Sequence, residues 1–286
     1  MNPYSLPGSF YILRNSSILR QKTNNNMENW LSRKSIVIIG GTTGIGFSAA
    51  KAMVQHGASV VVVGRNPENC LVAELNLGAN ARAMQGDATH VQTPMAAIQL
   101  CIREFGSFDG LYHVAGGIGK KFGEGSLHNL SLDGWNKTLD LNLTSLMLSN
   151  QAAVQTFLGM NKGGTILNMG SVLGYAPSSD LFSDHAYATA KSAVIGFSKS
   201  IAATYAKNNI RVNVLAPGVI ENSAPDDAPL QDLIREKQIL DGGRYTLNQD
   251  LDGAAVYFMS DYSKFSTGQV LAVDGGWSVT DRNRSK

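Results

Sequence analysis

The sequence predicts one α/β domain built on a doubly wound parallel sheet of about seven strands, with helices on both faces. Short apolar runs alternate with longer helical segments from Lys34 onward. A glycine-rich turn joins the first apolar run to the first helix. The chain shows no internal repeat and no linker rich in Pro, Gly or Ser. Such alternation favours parallel strands joined by right-handed crossovers.

The predicted elements follow one another at regular spacing. Strands are expected over residues 35–39, 59–63, 81–85, 109–114, 164–169, 210–215 and 269–273. Helices are expected over residues 47–54, 67–76, 91–105, 132–157, 185–207 and 249–260. The strands are short and rich in β-branched residues, which is typical of strands buried on both faces. Ligands of such sheets bind beyond the carboxyl ends of the strands, so the residues after each strand are the site candidates.

Composition excludes several classes of function. The 286 residues are 43% hydrophobic and 16% charged, with a net charge of +2 and no dense basic patch, so no nucleic-acid partner is expected. No apolar run approaches the roughly 18 residues of a membrane span. Five scattered histidines predict no metal site. Two cysteines are too few for a disulfide framework, which favours a reducing, cytoplasmic location.

Residues 1–30 differ from the rest and are expected to be a flexible N-terminal extension before a domain of residues 31–286. The first 27 residues contain no acid, three bases and several Ser and Asn. A targeting peptide has such a composition, as does a disordered arm. A start codon assigned upstream of Met27 would give the same pattern. A chain that begins at Met27 is expected to keep full stability.

The glycine turn is the first candidate binding site. A buried strand that runs through glycines into a helix presents unpaired backbone N–H groups and the positive end of the helix dipole. These groups favour a pyrophosphate. The predicted contacts are Gly40, Thr42, Thr43, Gly44, Ile45 and Gly46. The spacing of the glycines differs from the commonest dinucleotide fingerprint. The prediction therefore depends on the strand before the turn and the helix after it.

The residues after the second strand favour NADP(H) over NAD(H). A carboxylate there would hold the adenosine ribose of NAD, but the strand ends in Gly64 and Arg65, with no acid before Glu68. A guanidinium binds a 2′-phosphate in a bidentate way. The alternative is a solvated arginine in a turn. After the third strand, Asp87 and Ala88 are candidates for the adenine, although Asp87 is equally a candidate helix cap.

Tyr187 and Lys191 are four residues apart and therefore share one face of a helix. A phenol is a poor acid or base at neutral pH, and an ammonium on the next turn would stabilise its phenolate. Ser171 follows the fifth strand and is expected at the same sheet edge, where its hydroxyl would orient a carbonyl or alcohol. This combination predicts general acid–base chemistry.

Together these residues make the chain resemble the short-chain dehydrogenase/reductase family from about residue 34 to residue 279. The matching pieces are the glycine turn of residues 40–46, Gly86, Asp87, Ala115, Gly116, Asn142, Ser171, Tyr187, Lys191, Pro217, Gly218 and the ending 266–276. The resemblance implies a Rossmann-like fold and an NADP(H)-dependent enzyme that interconverts a ketone or aldehyde with an alcohol.

The resemblance also implies a role for each matching residue. Tyr187 would exchange a proton with the substrate oxygen, and Ser171 would hold that oxygen. Lys191 would bind the nicotinamide ribose and lower the tyrosine pKa. Asn142 would bend its helix and hold a water that relays protons to Lys191. Further cofactor contacts would come from Ala115, Gly116, Pro217, Gly218 and Val219.

Several positions depart from the family pattern. Ile39 replaces a threonine before the glycine turn, which removes a side-chain hydrogen bond. Residues 113–116, His-Val-Ala-Gly, replace Asn-Asn-Ala-Gly, so a structural amide is missing. Glu221 and Asn222 stand where a threonine commonly binds the carboxamide. Ser171 lies 16 residues before Tyr187, more than usual, and residues 174–184 are expected to loop over the substrate.

The expected substrate is a small, fairly apolar carbonyl compound or alcohol. The pocket wall is expected from Leu173, Tyr175, Leu181, Phe182, His185 and a mobile segment of residues 219–245, with Asp180 and Asp184 near the rim. No basic cluster for an anionic substrate or an acyl carrier protein is evident. Small residues along the helix of Tyr187 favour close packing, and the resemblance implies a homotetramer, with a dimer as the alternative.

Two other functions compete with this one. A non-catalytic NADP(H)-binding regulator would keep the fold without turnover, but Asn142, Ser171, Tyr187 and Lys191 are all present. A dehydratase or epimerase of nucleotide sugars would need a longer C-terminal substrate region.

Overall fold

The fold is that of a computed structural model, which describes residues 29–123, 125–177, 184–221 and 228–281. The predicted extension before residue 29 lies outside these residues. So do the predicted pocket residues Asp180, Leu181 and Phe182, and Asn222.

Seven parallel strands form one sheet in the order β3-β2-β1-β4-β5-β6-β7. Their bounds are β1 Ser35–Ile39, β2 Ser59–Gly64, β3 Ala81–Gln85, β4 Gly110–His113, β5 Gly164–Met169, β6 Ile210–Pro217 and β7 Val270–Val273. The order reverses between β1 and β4, which opens a crevice at their carboxyl ends, where ligands of such sheets bind. The predicted doubly wound sheet is confirmed.

Helices cover both faces of the sheet. They are α1 Gly44–Gln55, α2 Pro67–Leu77, α3 Gln92–Phe105, α4 Leu132–Leu139, α5 Ser145–Gly159, α6 His185–Tyr205, α7 Ala228–Lys237 and α8 Asp252–Met259. Alternate β1 side chains enter two cores, because neighbouring strand residues point to opposite faces. Ile36 and Ile38 pack with α1, α2 and α8, whereas Val37 and Ile39 pack with α3, α5 and α6.

Two helical segments differ from the prediction. The helix expected over residues 132–157 contains a π-helical segment, Asp140–Thr144, between α4 and α5. Such bulges form where a side chain competes for backbone hydrogen bonds. Inside the segment predicted to be mobile, α7 buries Leu230, Leu233 and Ile234. Its three apolar residues at helical spacing are the signal that could have predicted it.

The start of the described chain packs onto the fold. Leu31 is fully buried, and its N–H donates to the His56 carbonyl at 3.0 Å. The Trp30 ring packs against Tyr262 with a centroid separation of 4.3 Å and an angle of 42° between the ring planes. Among the described helices none is long and apolar enough to span a bilayer. The same residues contain no cluster of His, Cys, Asp or Glu that could hold a metal ion.

Candidate active site

The glycine turn is shaped by backbone contacts. Gly40 and Gly44 have φ of 85° and 53°, a region that L side chains rarely adopt. A Cβ on Gly46 would clash with the Gly40 carbonyl, so the helix start and the turn touch directly. The N–H groups of Gly40 and Gly41 donate to the Val63 carbonyl at 2.9 and 3.0 Å. These bonds hold the turn although Ile39 offers no side-chain hydrogen bond.

The N-terminus of α1 faces the crevice. Its first turn carries no acidic residue, and the Thr43 side chain makes no capping hydrogen bond. The first N–H groups of a helix have no partner within the helix. The turn therefore provides donors and a positive dipole end for an anionic group.

The end of β2 has no space for the carboxylate that NAD-binding sites carry. A Cβ on Gly64 would clash with the Thr42 side chain, which fills that position. Arg65 follows with an exposed side chain. Asn66 accepts from the Asn69 N–H at 2.9 Å and caps α2, so it fixes where the strand ends.

Asp87 is held in a local turn after β3. Its Oδ1 accepts from the Thr89 N–H at 2.9 Å and the Thr89 hydroxyl at 2.8 Å. Burial alone would raise the pKa of Asp87, but these bonds, with the charges of Arg65 and His90, lower it. Asp87 is therefore a carboxylate that organises the 86–90 turn. It does not cap α3, whose N-cap residue is Val91.

A cavity of about 380 Å³ joins these pieces at the carboxyl edge of the sheet. It is lined by Gly40, Thr42, Thr43, Ile45, Gly64, Arg65, Asn66, Asn69, Asp87, Ala88, Val114, Ala115, Gly116 and Leu141, together with other backbone of the strand ends. The structure thus brings most of the predicted cofactor contacts to one cavity. Gly44 and Gly46 adjoin it as residues of the same turn.

Lys191 lies buried in the middle of α6 with an exposed fraction of 2%. Its Nζ donates to the Met169 carbonyl at 2.9 Å and lies 5.5 Å from the centre of the Tyr187 ring. Burial lowers the pKa of Lys191 to about 8. An ammonium that loses its proton so readily can exchange it with a neighbouring group near neutral pH.

Ser171 and Tyr187 lie on either side of the loop between β5 and α6. The Ser171 hydroxyl accepts from the Leu173 N–H at 3.2 Å, which fixes the turn that follows β5. Tyr187 is half-buried and packs in one apolar cluster with Val172 and Leu173. The phenol therefore lies beside the segment that carries the serine.

Asn142 lies within the π-helical segment and is fully buried. Its Nδ2 donates to the Thr138 carbonyl at 2.9 Å, which takes that acceptor from the helix ladder. The same amide donates to the Gly117 carbonyl at 2.8 Å and accepts from the Gly117 N–H at 2.9 Å. A Cβ on Gly116 would come within 2.7 Å of Asn142 Oδ1 and 3.4 Å of Lys191 Nζ. Asn142, Gly116 and Lys191 are thus brought together.

An imidazole occupies the position of the missing structural amide. His113 is 1% exposed, and its Nε2 lies 3.1 Å from the Ala115 carbonyl oxygen. Its Nδ1 lies 3.0 Å from Ser149 Oγ. The expected loss of a hydrogen-bonded tie is thus compensated by bonds within the loop and to α5.

The segment after β6 is fixed by two residues that the sequence analysis did not select. Buried Gln238 accepts from the Val219 N–H at 2.5 Å, and its Nε2 donates to the Arg244 carbonyl at 2.8 Å. The Thr246 N–H donates to the Val219 carbonyl at 2.9 Å. A Cβ on Gly218 would clash with Gln238, which explains the glycine. A single glutamine after a short helix carries no pattern that would have identified it.

The described part of the substrate side is apolar next to Tyr187. Val172, Leu173, Val219 and the fully buried Trp277 belong to its cluster. The Trp277 Nε1 donates to the Ala176 carbonyl at 3.0 Å. Tyr175 keeps 42% of its surface exposed and His185 is also exposed, whereas Asp184 is buried directly before α6.

A larger cavity, of about 540 Å³, lies at the opposite edge of the sheet, near Lys34, Asp109 and Arg211. It contains none of the predicted site residues. Because ligands of parallel sheets bind at the carboxyl ends of the strands, we assign the site to the smaller cavity.

Comparisons with known proteins identify the family of the chain. Residues 40–278 match the family model described as enoyl-(acyl carrier protein) reductase. The 2-dehydro-3-deoxy-D-gluconate 5-dehydrogenase of Dickeya dadantii is 31% identical over 251 residues, which covers 86% of this chain and 96% of that protein. The 3-oxoacyl-(acyl-carrier-protein) reductase FabG of Chlamydia muridarum is 31% identical over 256 residues, with coverages of 87% and 99%.

A solved structure gives the same result. A short-chain type dehydrogenase/reductase from Mycobacterium ulcerans superposes with a TM-score of 0.79 at 28% identity, covering 87% of this chain and 91% of that one. The relatives named above are dehydrogenases and reductases. The chain therefore belongs to the short-chain dehydrogenase/reductase family and is an NAD(P)-dependent oxidoreductase.

Proposed function

We propose that this protein uses NADP(H) to interconvert a ketone or aldehyde with an alcohol, with Tyr187 as the general acid/base. The observation that carries the proposal is the position of the buried Lys191 ammonium. It lies beside the Tyr187 ring and beside Gly116, which lines the cavity. A cation in this position stabilises a phenolate. The chemistry of the family then assigns the direction of each proton.

The cavity fits a dinucleotide phosphate. The glycine turn offers the N-terminus of α1 to a pyrophosphate, and the Cβ positions of Gly40 and Gly46 are occupied by neighbouring backbone. Arg65 and Thr42 line the same cavity as the glycine turn and would offer hydrogen-bond donors to a ribose 2′-phosphate. With Gly64 at the strand end, β2 itself places no carboxylate beside that phosphate. Bound NADPH would supply the hydride for carbonyl reduction.

The remaining residues would prepare the substrate. Ser171 holds the substrate oxygen, and Tyr187 donates its proton to that oxygen during reduction. Lys191 would bind the nicotinamide ribose, and its ammonium would lower the pKa of Tyr187. Asn142 keeps the π-helical segment open for the water that supplies Lys191. Ala115, Gly116, Pro217, Gly218 and Val219 form the backbone wall of the nicotinamide end.

For the substrate we propose a neutral ketone or secondary alcohol. Val172, Leu173 and Trp277 form the apolar cluster around Tyr187. Apolar walls bind neutral groups because no charge must be desolvated. The sugar-acid and acyl-carrier substrates in the names of the relatives are not carried over to this chain.

The test is NADPH oxidation against a panel of neutral aliphatic and cyclic ketones and aldehydes. We expect turnover of at least one compound, and a decrease in kcat of at least about a hundredfold in Tyr187→Phe with NADPH binding retained. Tyr262→Phe, an exposed tyrosine at the opposite edge, is the matched control. NADPH binding without turnover in either direction would instead identify a regulatory binding protein.

We also propose a cytoplasmic homotetramer, with a dimer as the alternative, and a flexible N-terminal extension that ends before Trp30, whose ring packs against Tyr262. Small residues at the surface of α6, including Ser192 and Gly196, support close contact with a second subunit. Both cysteines, Cys70 and Cys101, are free and buried, as is common in a reducing compartment. Size-exclusion chromatography with light scattering, on the full chain and on a chain that begins at Met27, tests these points.

A further inference from the structure

A buried histidine lies under the cofactor cavity without a part in the proposed chemistry. His113 ends β4 and pairs in register with Ile39 of β1 and Asn168 of β5. Its ring is buried between the strand and α5, where Ser149 approaches Nδ1 at 3.0 Å and Ser145 approaches Nε2 at 3.4 Å. A buried titratable ring with such contacts needs a defined protonation state.

The hydrogen bonds of the ring determine its tautomer. Nε2 lies 3.1 Å from the Ala115 carbonyl oxygen, and a carbonyl can only accept. Nε2 therefore carries the proton. The Ser145 hydroxyl, which donates to the Leu141 carbonyl, can only accept from Nε2, in agreement with this tautomer. The Ser149 hydroxyl lies 3.0 Å both from Nδ1 and from the Ser145 carbonyl, and with Nε2 protonated its one proton is directed to Nδ1. If Nδ1 alone carried the proton, the lone pair of Nε2 would face a lone pair of the Ala115 carbonyl oxygen.

The surroundings also keep the ring uncharged. Burial and the Lys191 ammonium lower the pKa of His113 to about 3. The groups that face it from α5 are the hydroxyls of Ser145 and Ser149, and the neighbouring β5 residue is the amide Asn168. No carboxylate among the described residues bonds to the ring. A second cation there would oppose Lys191 directly.

The carbonyl that His113 holds belongs to the strip of residues 114–116, which lines the cavity. On one side the Ala115 N–H donates to Ile39 at 2.9 Å, and the Ala115 nitrogen lies 2.6 Å from where a Cβ on Gly40 would be. On the other side Gly116 lies against Lys191. A shift of the strip would therefore move the floor of the glycine turn and the surroundings of Lys191 together.

We propose that His113 is a positioning residue whose neutral imidazole holds the Ala115 carbonyl and thereby fixes the strip between the glycine turn and Lys191. The inference rests on the proposed function, because the strip serves as one wall of the proposed NADP(H) site. His113 acts through Ala115 and does not touch reacting atoms.

Three variants of the full-length protein test the proposal by fluorescence titration with NADPH. His113→Phe keeps the ring size but removes both nitrogens, and we expect NADPH binding to weaken about tenfold. His113→Asn can still donate to the Ala115 carbonyl, and we expect its binding to return to within about threefold of the wild type. His128→Phe, an exposed histidine, is the matched control and is expected to bind as the wild type does.

A spectroscopic readout is independent of NADPH. In apo protein with ¹⁵N-labelled histidine, NMR should show His113 as the neutral Nε2–H tautomer at neutral pH and still at about pH 5, where exposed histidines are charged. A merely space-filling role predicts no preferred tautomer and no rescue by asparagine.

The proposal is overturned if His113→Phe folds and binds NADPH within about twofold of the wild type. It is also overturned if NMR shows an Nδ1–H tautomer or an imidazolium at neutral pH. Should His113→Phe fail to fold, the NMR result and His113→Asn decide. A wild-type protein that binds neither NADPH nor NADH would refute the proposed function, and the tautomer would still test the contact with Ala115.

Discussion

The two ends of the site are held by different kinds of contact. The glycine end, residues 40–46 with the end of β2, is shaped by backbone: Gly46 packs on the Gly40 carbonyl, and the Val63 carbonyl accepts two N–H groups of the turn. The tyrosine end, built from the ends of β4 and β5 and from α6, is shaped by buried polar side chains. Lys191, Asn142 and His113 each bond to a backbone carbonyl there.

The two ends therefore differ in the substitutions that they tolerate. A backbone contact leaves no room for an added atom, so the glycine end is vulnerable to the smallest enlargement. A buried side-chain network can accept a similar donor, but the loss of a charge or a donor leaves its partners unsatisfied. The predictions below test this comparison.

The largest effect is expected at the tyrosine end. Lys191→Met removes the buried ammonium beside Tyr187, and we expect kcat/KM for carbonyl reduction to fall about a thousandfold. Because the pKa of Lys191 is lowered to about 8, the wild-type rate should also fall as the pH rises through that value and the ammonium is lost. Lys199→Met, an exposed lysine of the same helix, is the control. A loss below tenfold would contradict the assigned role.

At the glycine end, Gly46→Ala adds one methyl group against the Gly40 carbonyl. The added methyl group forces the turn to shift. We therefore expect NADPH binding to weaken about a hundredfold, which is about 3 kcal/mol of binding free energy. Gly253→Ala places the same methyl group at an exposed helical position with nothing within 4 Å, and should be neutral or slightly stabilising. Isothermal titration of both variants measures the difference. Equal affinities would mean that the turn is not packed as described.

Arg65→Asp tests an exposed side chain at the glycine end. Removing the guanidinium and adding a carboxylate should shift the NADPH/NADH ratio of kcat/KM about thirtyfold toward NADH. Lys207→Asp makes the same charge change at the opposite edge of the sheet and should leave the ratio unchanged. An unaltered ratio in Arg65→Asp would refute the assignment of NADP(H).

The smallest effect concerns a carboxylate behind α1. Asp252 accepts from the Ser48 hydroxyl at 2.8 Å, and its other oxygen is buried without a partner. Burial raises the pKa of Asp252 to about 6. In the unfolded chain the same carboxyl has a pKa of about 4. Between about pH 4 and pH 6 the folded state therefore binds more protons than the unfolded state, and the free energy of unfolding falls as the pH rises through this range.

Asp252→Asn removes that titration. We expect its melting temperature at neutral pH to rise by about 2 °C, and the fall in stability between about pH 4 and pH 6 to become shallower. Asp261→Asn, an exposed carboxylate, should show no such change in slope. Calorimetry over this pH range distinguishes the two. A destabilised Asp252→Asn would show that the charged carboxylate is needed.

The fold could be predicted almost completely because its signals are local. In β1 and β2 the residues 36–39 and 60–63 are all apolar and buried, and segments of helical periodicity separate such runs. The glycine turn could be predicted equally well, since only glycine suits the φ of Gly40 and the packing of Gly46. The short helix α7 was missed because its charged residues outweigh its three apolar ones.

The tyrosine end could be predicted from the sequence only in part. Tyr187 and Lys191 share a helical face that spacing reveals, whereas Asn142 was selected through family resemblance alone. Gln238, Thr246 and the bonds of His113 carried no local signal. Gln238 and Thr246 bond to Val219, which is distant along the chain, and His113 contacts Ser149 of α5 as well as the nearby Ala115.

The sequence alone therefore determined the parallel sheet, the glycine turn and the helical pair of Tyr187 and Lys191, because periodicity and glycine conformation act within a few residues. Only the tertiary structure decided that Thr42 fills the space beside Gly64, that Asn142 opens a π-helical segment, and that His113 holds Ala115. Thr42 meets the end of β2, Asn142 also bonds to Gly117, and His113 also contacts Ser149 of α5. The energies of these contacts depend on burial and charge that exist only after the sheet and helices have packed.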